Sequence, residues 1–288
     1  MGGWLVTGAG GMLGQDLASF VAGQGEPVTG LARHELDVTD PVAIAECIGE
    51  RRPDVVVNCA AWTAVDPAEE QEAEALRVNG SGAANLASAC GRHGSRLVQV
   101  STDYVFGKTG QRSYAEDDAP APVNVYGRTK LAGERAALEM PGGGYVVRTA
   151  WLYGAHGRNF VRTMLGRARD GSAARVVDDQ RGQPTWTADV ARQIFALIRA
   201  GAEPGVYHAT SSGATTWYGL AREVFRLAGA DPGLVTPVTS AAYPRAAPRP
   251  GCSVLGHGAW ARTGVPPIGS WDGALARALP AMIAAGDR

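Results

Sequence analysis

A tyrosine and a lysine four residues apart, Tyr126 and Lys130, are the residues whose types and spacing first indicate chemistry. On a helix, residues at i and i+4 share one face. A tyrosine hydroxyl has a pKa of about 10, so it needs a nearby cation to exchange a proton near neutrality. The chain contains 25 Arg and only two Lys, the other being Lys108 in a polar loop. A lysine at this position therefore suggests a requirement for a compact point charge, which a planar guanidinium would not meet.

Two hydroxyl residues, Ser101 and Thr102, begin the stretch STDYVFG (101–107), where an apolar strand is predicted to end. In doubly wound sheets, ligands bind at the carboxyl ends of the strands. A hydroxyl there can donate to a substrate carbonyl and orient it toward Tyr126. When Ser101 and Thr102 are considered without the other motifs, the alternative that they only terminate a strand stays open. The candidate catalytic set is Thr102, Tyr126 and Lys130.

A glycine-rich turn, TGAGGMLGQDL, follows the first apolar run and opens a predicted helix. Its GxxGxxG spacing lets the backbone approach a pyrophosphate, which the free N–H groups of the helix N-terminus can bind. A tight turn without a ligand is the alternative. The predicted cofactor contacts in this turn are Gly8, Gly11, Met12, Leu13 and Gly14.

The second predicted strand ends in GLARHELDVTD, where an acidic residue would normally bind the ribose of an adenosine. The expected position holds Ala32, and the next residue is Arg33, which could meet a 2′-phosphate. This favours NADPH, with NADH possible, although a surface arginine is an equal alternative. Asp37 and Val38 are expected to flank the adenine.

Apolar runs alternate with helical periodicity in the first half of the chain, which predicts an α/β fold with a doubly wound parallel (Rossmann) sheet. Strands are predicted at 4–8, 27–31, 54–60, 96–101 and 145–151, and helices at 12–22, 41–51, 69–93 and 124–139. Beyond about residue 151 the pattern loosens, with helices predicted at 159–170, 187–200 and 216–228 and strands at 174–179 and 205–209. We therefore predict a cofactor-binding domain at 1–151 and a smaller C-terminal α/β substrate-binding lobe at 152–288, with the chain crossing between them.

Composition excludes several classes of protein. The 288 residues are 45% hydrophobic and 19% charged with a net charge of −1, which indicates a globular chain and argues against nucleic acid or an anionic membrane as partner. No apolar run is long enough to span a membrane. The four cysteines are scattered, so we expect reduced thiols and a cytoplasmic protein. The five histidines lack ligand spacing, and no metal site is predicted.

Taken together, these motifs resemble the dTDP-4-dehydrorhamnose reductase family of the extended short-chain dehydrogenases/reductases. The resemblance spans nearly the whole chain, in NCAAWTAVDPAE (58–69), STDYVFG (101–107), NVYGRTKLAGE (124–134), VRTAWLYG (147–154), VVDDQRGQPT (176–185), VYHATSSGATTW (206–217) and PRPGCSVL (248–255). It implies NADPH-dependent reduction of the C4 ketone of dTDP-4-dehydro-6-deoxy-L-mannose to dTDP-L-rhamnose.

The resemblance also implies roles for individual residues. Tyr126 would donate a proton to the ketone oxygen, Lys130 would lower its pKa and hold the nicotinamide ribose, and Thr102 would bond the carbonyl. Residues implied at the cofactor edge are Ala60, Ala61 and Thr63. Those implied at the substrate are Asp103, Tyr104 and Val105 at the sugar, Trp151 on the sugar or its nucleotide, and Arg249 at the diphosphate. A core aromatic and a surface charge are the alternatives for Trp151 and Arg249.

Two departures from the family pattern bear on assembly and the cofactor edge. Trp62 stands where Tyr or His is commoner, and Gln15 stands where some members have a Glu that serves a metal site at a dimer interface. We therefore expect a monomer or a homodimer without that metal. Three alternatives stay open: a reductase of another dTDP-4-ketosugar in antibiotic biosynthesis, of the dihydrostreptose type; a non-catalytic nucleotide-binding subunit of the methionine adenosyltransferase type; and an epimerase or dehydratase of the extended family.

Overall fold

A computed structural model describes residues 2–107 and 113–286 of the chain, and Lys108 lies outside these residues. The strands are β1 (Trp4–Thr7), β2 (Val28–Leu31), β3 (Val55–Asn58), β4 (Arg96–Thr102), β5 (Tyr145–Thr149), β6 (Leu152–Tyr153), β7 (Ala174–Val177), β8 (Arg181–Gly182), β9 (Thr185–Trp186), β10 (Gly205–His208), β11 (Thr215–Thr216) and β12 (Val235–Val238). The helices are α1 (Met12–Gly23), α2 (Pro41–Arg51), α3 (Val65–Glu70), α4 (Glu72–Leu76), α5 (Gly82–His93), α6 (Val125–Glu139), α7 (Phe160–Arg169), α8 (Thr187–Arg199), α9 (Trp217–Leu227) and α10 (Trp271–Gly286).

The main sheet has six parallel strands in the order β10-β5-β4-β3-β1-β2. Strands β1, β3 and β5 are buried along their whole length, as their mainly apolar sequences predict for strands covered on both faces. The chain runs from β1 to β2 on one side and then returns to β3 on the other. This reversal creates a crevice at the carboxyl ends of β1 and β3, and it confirms the predicted doubly wound fold.

Helices cover both faces of the sheet. On one face, α1 and α8 bury Leu17, Val21, Ile194 and Leu197 against β1, β3, β4 and β5. On the other face, α2, α5 and α6 contribute a second core cluster, which includes Ile44, Ile48, Leu86 and Ala137. The two clusters fix the sheet edge from which the candidate catalytic residues project.

The second half of the chain contributes to the main sheet and also forms a separate core cluster. Strand β10 pairs with β5 at the edge of the main sheet, and α8 packs on α1. A third core cluster lies among α7, α9, α10 and the short strand pairs β7–β12 and β6–β9. The division of the sequence at residue 151 stays a prediction. No helix within the described ranges is long and apolar enough to cross a bilayer.

The predicted helix at 69–93 is several pieces. Gln71 leaves the helical region with φ −126° and ψ 46°, so α3 ends and α4 begins there. A π-helical turn at Arg77–Ser81 then leads into α5. It carries the buried Asn79, whose amide donates to the Trp62 carbonyl (3.1 Å) and to the Thr129 hydroxyl (3.0 Å). The irregularity therefore ties the segment after β3 to α6.

Candidate active site

The glycine turn between β1 and α1 requires glycine for close backbone approach. Gly8 has φ +68°, and a Cβ there would lie 2.5 Å from the Ala60 nitrogen. A Cβ on Gly14 would lie 2.4 Å from the Gly8 carbonyl oxygen. Gly11 is the N-cap of α1 and has no side chain to satisfy the first N–H groups of the helix. These groups are thus left for an anionic ligand, so the turn fits a dinucleotide pyrophosphate.

A cavity of about 280 Å³, which we call the turn cavity, lies on the β2 side of this turn. Its lining contains seven of the predicted cofactor residues: Gly8, Gly11, Arg33, Asp37, Val38, Ala60 and Ala61. The Arg33 side chain is 78% exposed and lies 3.9 Å from the Asp37 carboxylate. Hydrogen bonds from the Thr39 N–H and hydroxyl hold the pKa of Asp37 below its usual value. The Arg33 guanidinium is therefore available to a phosphate at the mouth of the turn cavity.

A second cavity of about 470 Å³, the central cavity, adjoins the turn cavity and shares Gly11, Cys59 and Ala61 with it. The predicted residues on its wall are Gly11, Met12, Leu13, Gly14, Ala61, Thr63, Thr102, Asp103, Tyr126, Lys130 and Trp151. The adjoining cavities form an elongated space that passes the start of α1. An extended dinucleotide fits this arrangement, with one end beside the candidate catalytic residues.

Helix α6 carries Tyr126 and Lys130, and its first turn is held firmly. Asn124 caps the helix by accepting from the Gly127 N–H at 2.8 Å. A Cβ on Gly127 would lie 2.1 Å from the Tyr104 carbonyl oxygen. This close approach of α6 to the turn after β4 brings Tyr126 beside Thr102.

Lys130 is only 3% exposed, and its Nζ donates to the Val100 carbonyl at 2.6 Å. Burial lowers the pKa of Lys130 to about 8, while the nearby Glu134 carboxylate acts to raise it. The ammonium is consequently present at neutral pH but is held in a poorly solvated site.

Tyr126 is half-buried, and burial raises the pKa of its hydroxyl to about 12. A hydrogen bond with Thr102 lowers this pKa, and the charge of Asp103 raises it. Apart from burial, the described groups that shift the pKa of Tyr126 are Thr102 and Asp103, and Lys130 is not among them. The predicted role of Lys130 in lowering that pKa stays a prediction. A tyrosine with this pKa is protonated at neutral pH and can act as an acid.

Thr102 and Asp103 form a buried pair at the end of β4. The Thr102 hydroxyl donates to Asp103 Oδ1 at 3.0 Å and accepts from the Tyr104 N–H at 3.1 Å. Burial raises the pKa of Asp103 to about 6, although hydrogen bonds with the Ser253 and Thr102 hydroxyls lower it. Asp103 Oδ2 has no hydrogen-bond partner within the described part of the chain. The Asp103 carboxylate, hydrogen-bonded to the Thr102 and Ser253 hydroxyls, thus lies at the wall of the central cavity, and its Oδ2 is shielded from solvent.

Ser101 is directed elsewhere. Its hydroxyl donates to Glu134 Oε1 at 2.6 Å, and Glu134 also forms a buried bidentate ion pair with Arg148, with Nε–Oε1 and Nη2–Oε2 distances of 2.9 and 2.8 Å. Thr102 is therefore the hydroxyl of the pair that neighbours Tyr126.

A third cavity of about 660 Å³, the arginine cavity, is lined by Tyr104 together with residues of α7, β7 and the segment after β12. The Tyr104 ring meets the Tyr126 ring edge to face at 5.8 Å between centroids. Four arginines line the cavity: Arg167, Arg175, Arg245 and Arg249. Sequence reasoning identified only Arg249, although Arg245 lies in the same Pro-rich segment.

Arg249 is paired with Asp66. Its Nη1 and Nη2 donate to the two carboxylate oxygens at 2.8 and 3.0 Å. Burial opposes ionisation of Asp66, but these bonds and the Ala247 N–H outweigh it, so the pKa of Asp66 lies below its usual value. The pair fixes the guanidinium at the wall of the arginine cavity.

One predicted substrate residue, Val105, is placed differently. It is completely buried and packs with Phe106, Tyr114 and Leu255, away from the wall of the three cavities described above. The 3₁₀ turn at Asp103–Val105 turns Val105 into the core, while Asp103 and Tyr104 line the cavities. The expectation that Val105 lines the sugar pocket is therefore corrected.

Residues missed from the sequence also line the central cavity. Cys59 follows β3 and Leu152 begins β6 on its wall, and Arg158 approaches from the loop before α7. Arg158 brings a cation from the second half of the chain to the space beside the glycine turn. Gln15 donates to the Gly10 carbonyl at 3.0 Å, within the same turn.

Comparison with known proteins identifies the family of the chain. The family model for the RmlD substrate binding domain matches residues 3–283. A dTDP-4-keto-6-deoxy-D-glucose reductase of Streptomyces niveus is 52% identical over 280 residues, covering 97% of each chain. A dTDP-4-dehydrorhamnose reductase of Streptomyces griseus is 53% identical over 284 residues, covering 97% of this chain and 93% of the relative.

Solved structures show the same similarity. The crystal structure of a dTDP-4-dehydrorhamnose reductase from Bacillus anthracis, in complex with NADP, is 35% identical with a TM-score of 0.92. The match covers 96% of this chain and 98% of that one. From the family match and these relatives, the chain belongs to the RmlD substrate binding domain family.

Proposed function

We propose that this protein is a reductase that uses NADPH to reduce the C4 ketone of a dTDP-4-dehydro-6-deoxyhexose, with dTDP-4-dehydro-L-rhamnose as the main candidate. One observation carries the proposal. Thr102, Tyr126 and Lys130 meet in the central cavity, which lies between a glycine-turn cavity suited to a dinucleotide and an arginine cavity suited to a sugar nucleotide.

Bound NADPH supplies a hydride to the ketone carbon. Tyr126, protonated at neutral pH, donates its proton to the ketone oxygen as negative charge develops there. The Thr102 hydroxyl turns from Asp103 Oδ1 to donate to the same oxygen. The Lys130 ammonium stabilises the tyrosinate that remains and donates to a ribose hydroxyl.

The cofactor is held by the residues of the turn and central cavities. Backbone N–H groups at Gly11 to Gly14 bind the pyrophosphate, and Arg33 binds the 2′-phosphate that distinguishes NADPH from NADH. Supporting this assignment, α1 lacks a side-chain cap and Arg33 is largely exposed beside the turn cavity.

The sugar nucleotide is held by the central and arginine cavities together. Asp103 lies in the wall of the central cavity, where its Oδ1 accepts from the Thr102 hydroxyl and so orients that hydroxyl beside the sugar. Arg249 and Arg245 bind the diphosphate, because a guanidinium offers paired donors that match phosphate oxygens. Tyr104 lines the arginine cavity, and its ring meets that of Tyr126 on the wall of the central cavity, so it contacts the sugar between these ends.

The test is a coupled substrate and cofactor assay. The purified protein is incubated with dTDP-4-dehydro-6-deoxy-L-mannose and NADPH, and loss of the reduced-nicotinamide absorbance is followed. We expect oxidation that depends on both the sugar nucleotide and the intact Tyr126. If NADPH binds but is not oxidised with any dTDP-4-ketosugar, the proposal is wrong.

A second candidate substrate is dTDP-4-keto-6-deoxy-D-glucose, the substrate named for the Streptomyces niveus relative, which is 52% identical to this chain. The two sugars differ in stereochemistry and so would meet Asp103, Tyr104 and Trp151 differently. The ratio of kcat/KM for the two sugars in the same assay decides between them. A ratio above about tenfold in either direction identifies the preferred sugar, since tenfold corresponds to about 1.4 kcal/mol of differential transition-state binding.

We propose a cytoplasmic location and a monomer or homodimer. Supporting the location, all four cysteines are free thiols. Light scattering of the purified protein measures the assembly state directly, and a larger oligomer would contradict the proposal.

A further inference from the structure

Trp151 has a backbone conformation that its side chain disfavours. Its φ is +47°, in the left-handed region, where a bulky residue is a genuine outlier. It lies between β5 and β6, and its carbonyl accepts from the Thr185 N–H at 3.3 Å. Strain of this kind persists only where surrounding structure holds it, and it is found most often at ligand sites.

The Trp151 indole is clamped on two sides. The Trp217 ring stacks on it with 3.6 Å between ring centroids and an angle of 7° between planes. A Cβ on Gly182 would lie 2.5 Å from Trp151 Cε2, so the Gly182 backbone lies in direct contact with the ring. Only a glycine leaves room for the indole at this point.

Both sides of this clamp are connected through one strand pair. Gly182 belongs to β8, which pairs antiparallel with β11, and Gly182 lies opposite Thr215. Trp217 follows β11 directly and begins α9, whose N-cap Thr216 accepts from the Gly219 N–H at 3.1 Å. Phe160 contacts the Trp217 ring at 4.8 Å between centroids. The position of Trp217 is therefore fixed by contacts other than its stack on Trp151.

The stacked rings separate two cavities. Trp151 lines the central cavity, and Trp217 lines the arginine cavity. From this geometry we propose that Trp217 and Gly182 are positioning residues. They hold Trp151 in its strained conformation, so that its indole forms the sugar-side wall of the central cavity when a nucleotide occupies the arginine cavity. This proposal rests on the proposed function, which places the sugar and nucleotide in these cavities.

The proposal predicts a loss of turnover rather than of cofactor binding. If the clamp is released, the Trp151 backbone can relax and the sugar loses a fixed wall beside Tyr126. A misplacement of about 1 Å at a reacting group can lower the rate about a hundredfold. The glycine turn is built from other elements, so NADPH binding should be unchanged.

The experiment compares Trp217→Leu, Gly182→Ala and Trp217→Phe with a control, Trp271→Leu, which alters a half-buried tryptophan at the start of α10. Near-ultraviolet circular dichroism reports the stacked indole pair, and far-ultraviolet spectra report the fold. Turnover with the dTDP-4-ketosugar separates kcat from KM, and titration measures the Kd for NADPH.

We expect Trp217→Leu to lose the dichroism of the stacked pair, and Gly182→Ala to weaken it. Each should lower kcat at least about tenfold with the Kd for NADPH unchanged. Trp217→Phe should recover most of kcat because a flat ring remains, and Trp271→Leu should match the parent. A folded Trp217→Leu variant that lacks the paired signal but keeps the parent kcat and KM would overturn the proposal, as would an equal loss in the control.

A failure of the proposed function is recognised separately. If the parent protein does not turn over the sugar, titration with thymidine diphosphate still tests the clamp, because Trp217 lines the arginine cavity. A stacked-pair signal that is unchanged at saturation supports a clamp set by the protein's own contacts, and loss of that signal on binding overturns it.

Discussion

The central cavity and the arginine cavity handle charge in opposite ways. In the central cavity, Lys130 is 3% exposed and hydrogen-bonded to a backbone carbonyl at the end of β4. In the arginine cavity, the Arg245 side chain is 60% exposed and lies 3.9 Å from Asp66. Lys130 is fixed and desolvated by the main sheet, whereas Arg245 and Arg249 lie on the segment after β12, Arg175 on β7 and Arg167 on α7.

The difference in burial indicates that the central cavity performs the chemistry and that the arginine cavity binds the substrate. Burial moves the pKa of Lys130 down to about 8, that of Tyr126 up to about 12 and that of Asp103 up to about 6. In the arginine cavity, Asp66 keeps a pKa below its usual value because Arg249 is bound to it. Substitutions in the central cavity should therefore act mainly on kcat, and those in the arginine cavity mainly on KM.

The strongest test of this division is Tyr126→Phe. We expect kcat to fall by about 10² to 10⁴, because the proton donor is lost while the ring and its contact with Tyr104 remain. The Kd for NADPH should stay within about twofold in a fluorescence titration. Turnover near the parent value would exclude Tyr126 as the acid.

Lys130→Arg tests whether a compact cation is needed. A guanidinium does not fit the site in which Nζ lies 2.6 Å from the Val100 carbonyl, so kcat should fall at least about tenfold despite the retained charge. Arg128→Lys, on the exposed face of the same helix, is the matched control and should be neutral. Near-parent turnover in Lys130→Arg would mean that charge alone is required.

Arg249→Leu tests the arginine cavity. Loss of a charge-assisted contact to phosphate costs about 1.5–3 kcal/mol, so KM for the sugar nucleotide should rise at least about tenfold with kcat nearly unchanged. Arg92→Leu, an exposed arginine at the end of α5, serves as control. A fall in kcat at constant KM would contradict the division between the two cavities.

The pH profile sharpens the same comparison. The pKa of Lys130 lies below its usual value, so its charge is lost as the pH rises through about 8. We expect kcat/KM, which reports the free enzyme, to fall about tenfold between pH 7 and pH 9. The residual activity of Lys130→Arg should lack this alkaline limb. A parent profile that is flat to pH 9 would show that the Lys130 charge does not control the rate.

Local sequence signals predicted the central cavity better than the arginine cavity. The glycine turn and the spacing of Tyr126 and Lys130 depend on one turn and one helix, so their geometry follows from neighbouring residues. The ion pair of Asp66 and Arg249 joins residues 183 positions apart, and the stack of Trp151 on Trp217 depends on Gly182 in a separate strand pair. Such contacts are set by packing between distant segments, which a single sequence does not reveal.

The errors have the same origin. Val105 was assigned to the sugar pocket because it belongs to STDYVFG, but a 3₁₀ turn directs it into the core. Helix α10 had no counterpart among the predicted elements, and it contains Pro280, which disfavours a helix interior in isolation. Both outcomes depend on tertiary packing rather than on local preference.

The most direct test of the central claim is transfer of deuterium from NADPH labelled at the nicotinamide C4 to dTDP-4-dehydro-6-deoxy-L-mannose, with the product examined by mass spectrometry and NMR. We expect the unsubstituted protein to place the deuterium on C4 of the sugar, and Tyr126→Phe to bind both ligands with almost no transfer. Oxidation of the cofactor without deuterium at the sugar C4, or no transfer to any dTDP-4-ketosugar, would contradict the central claim.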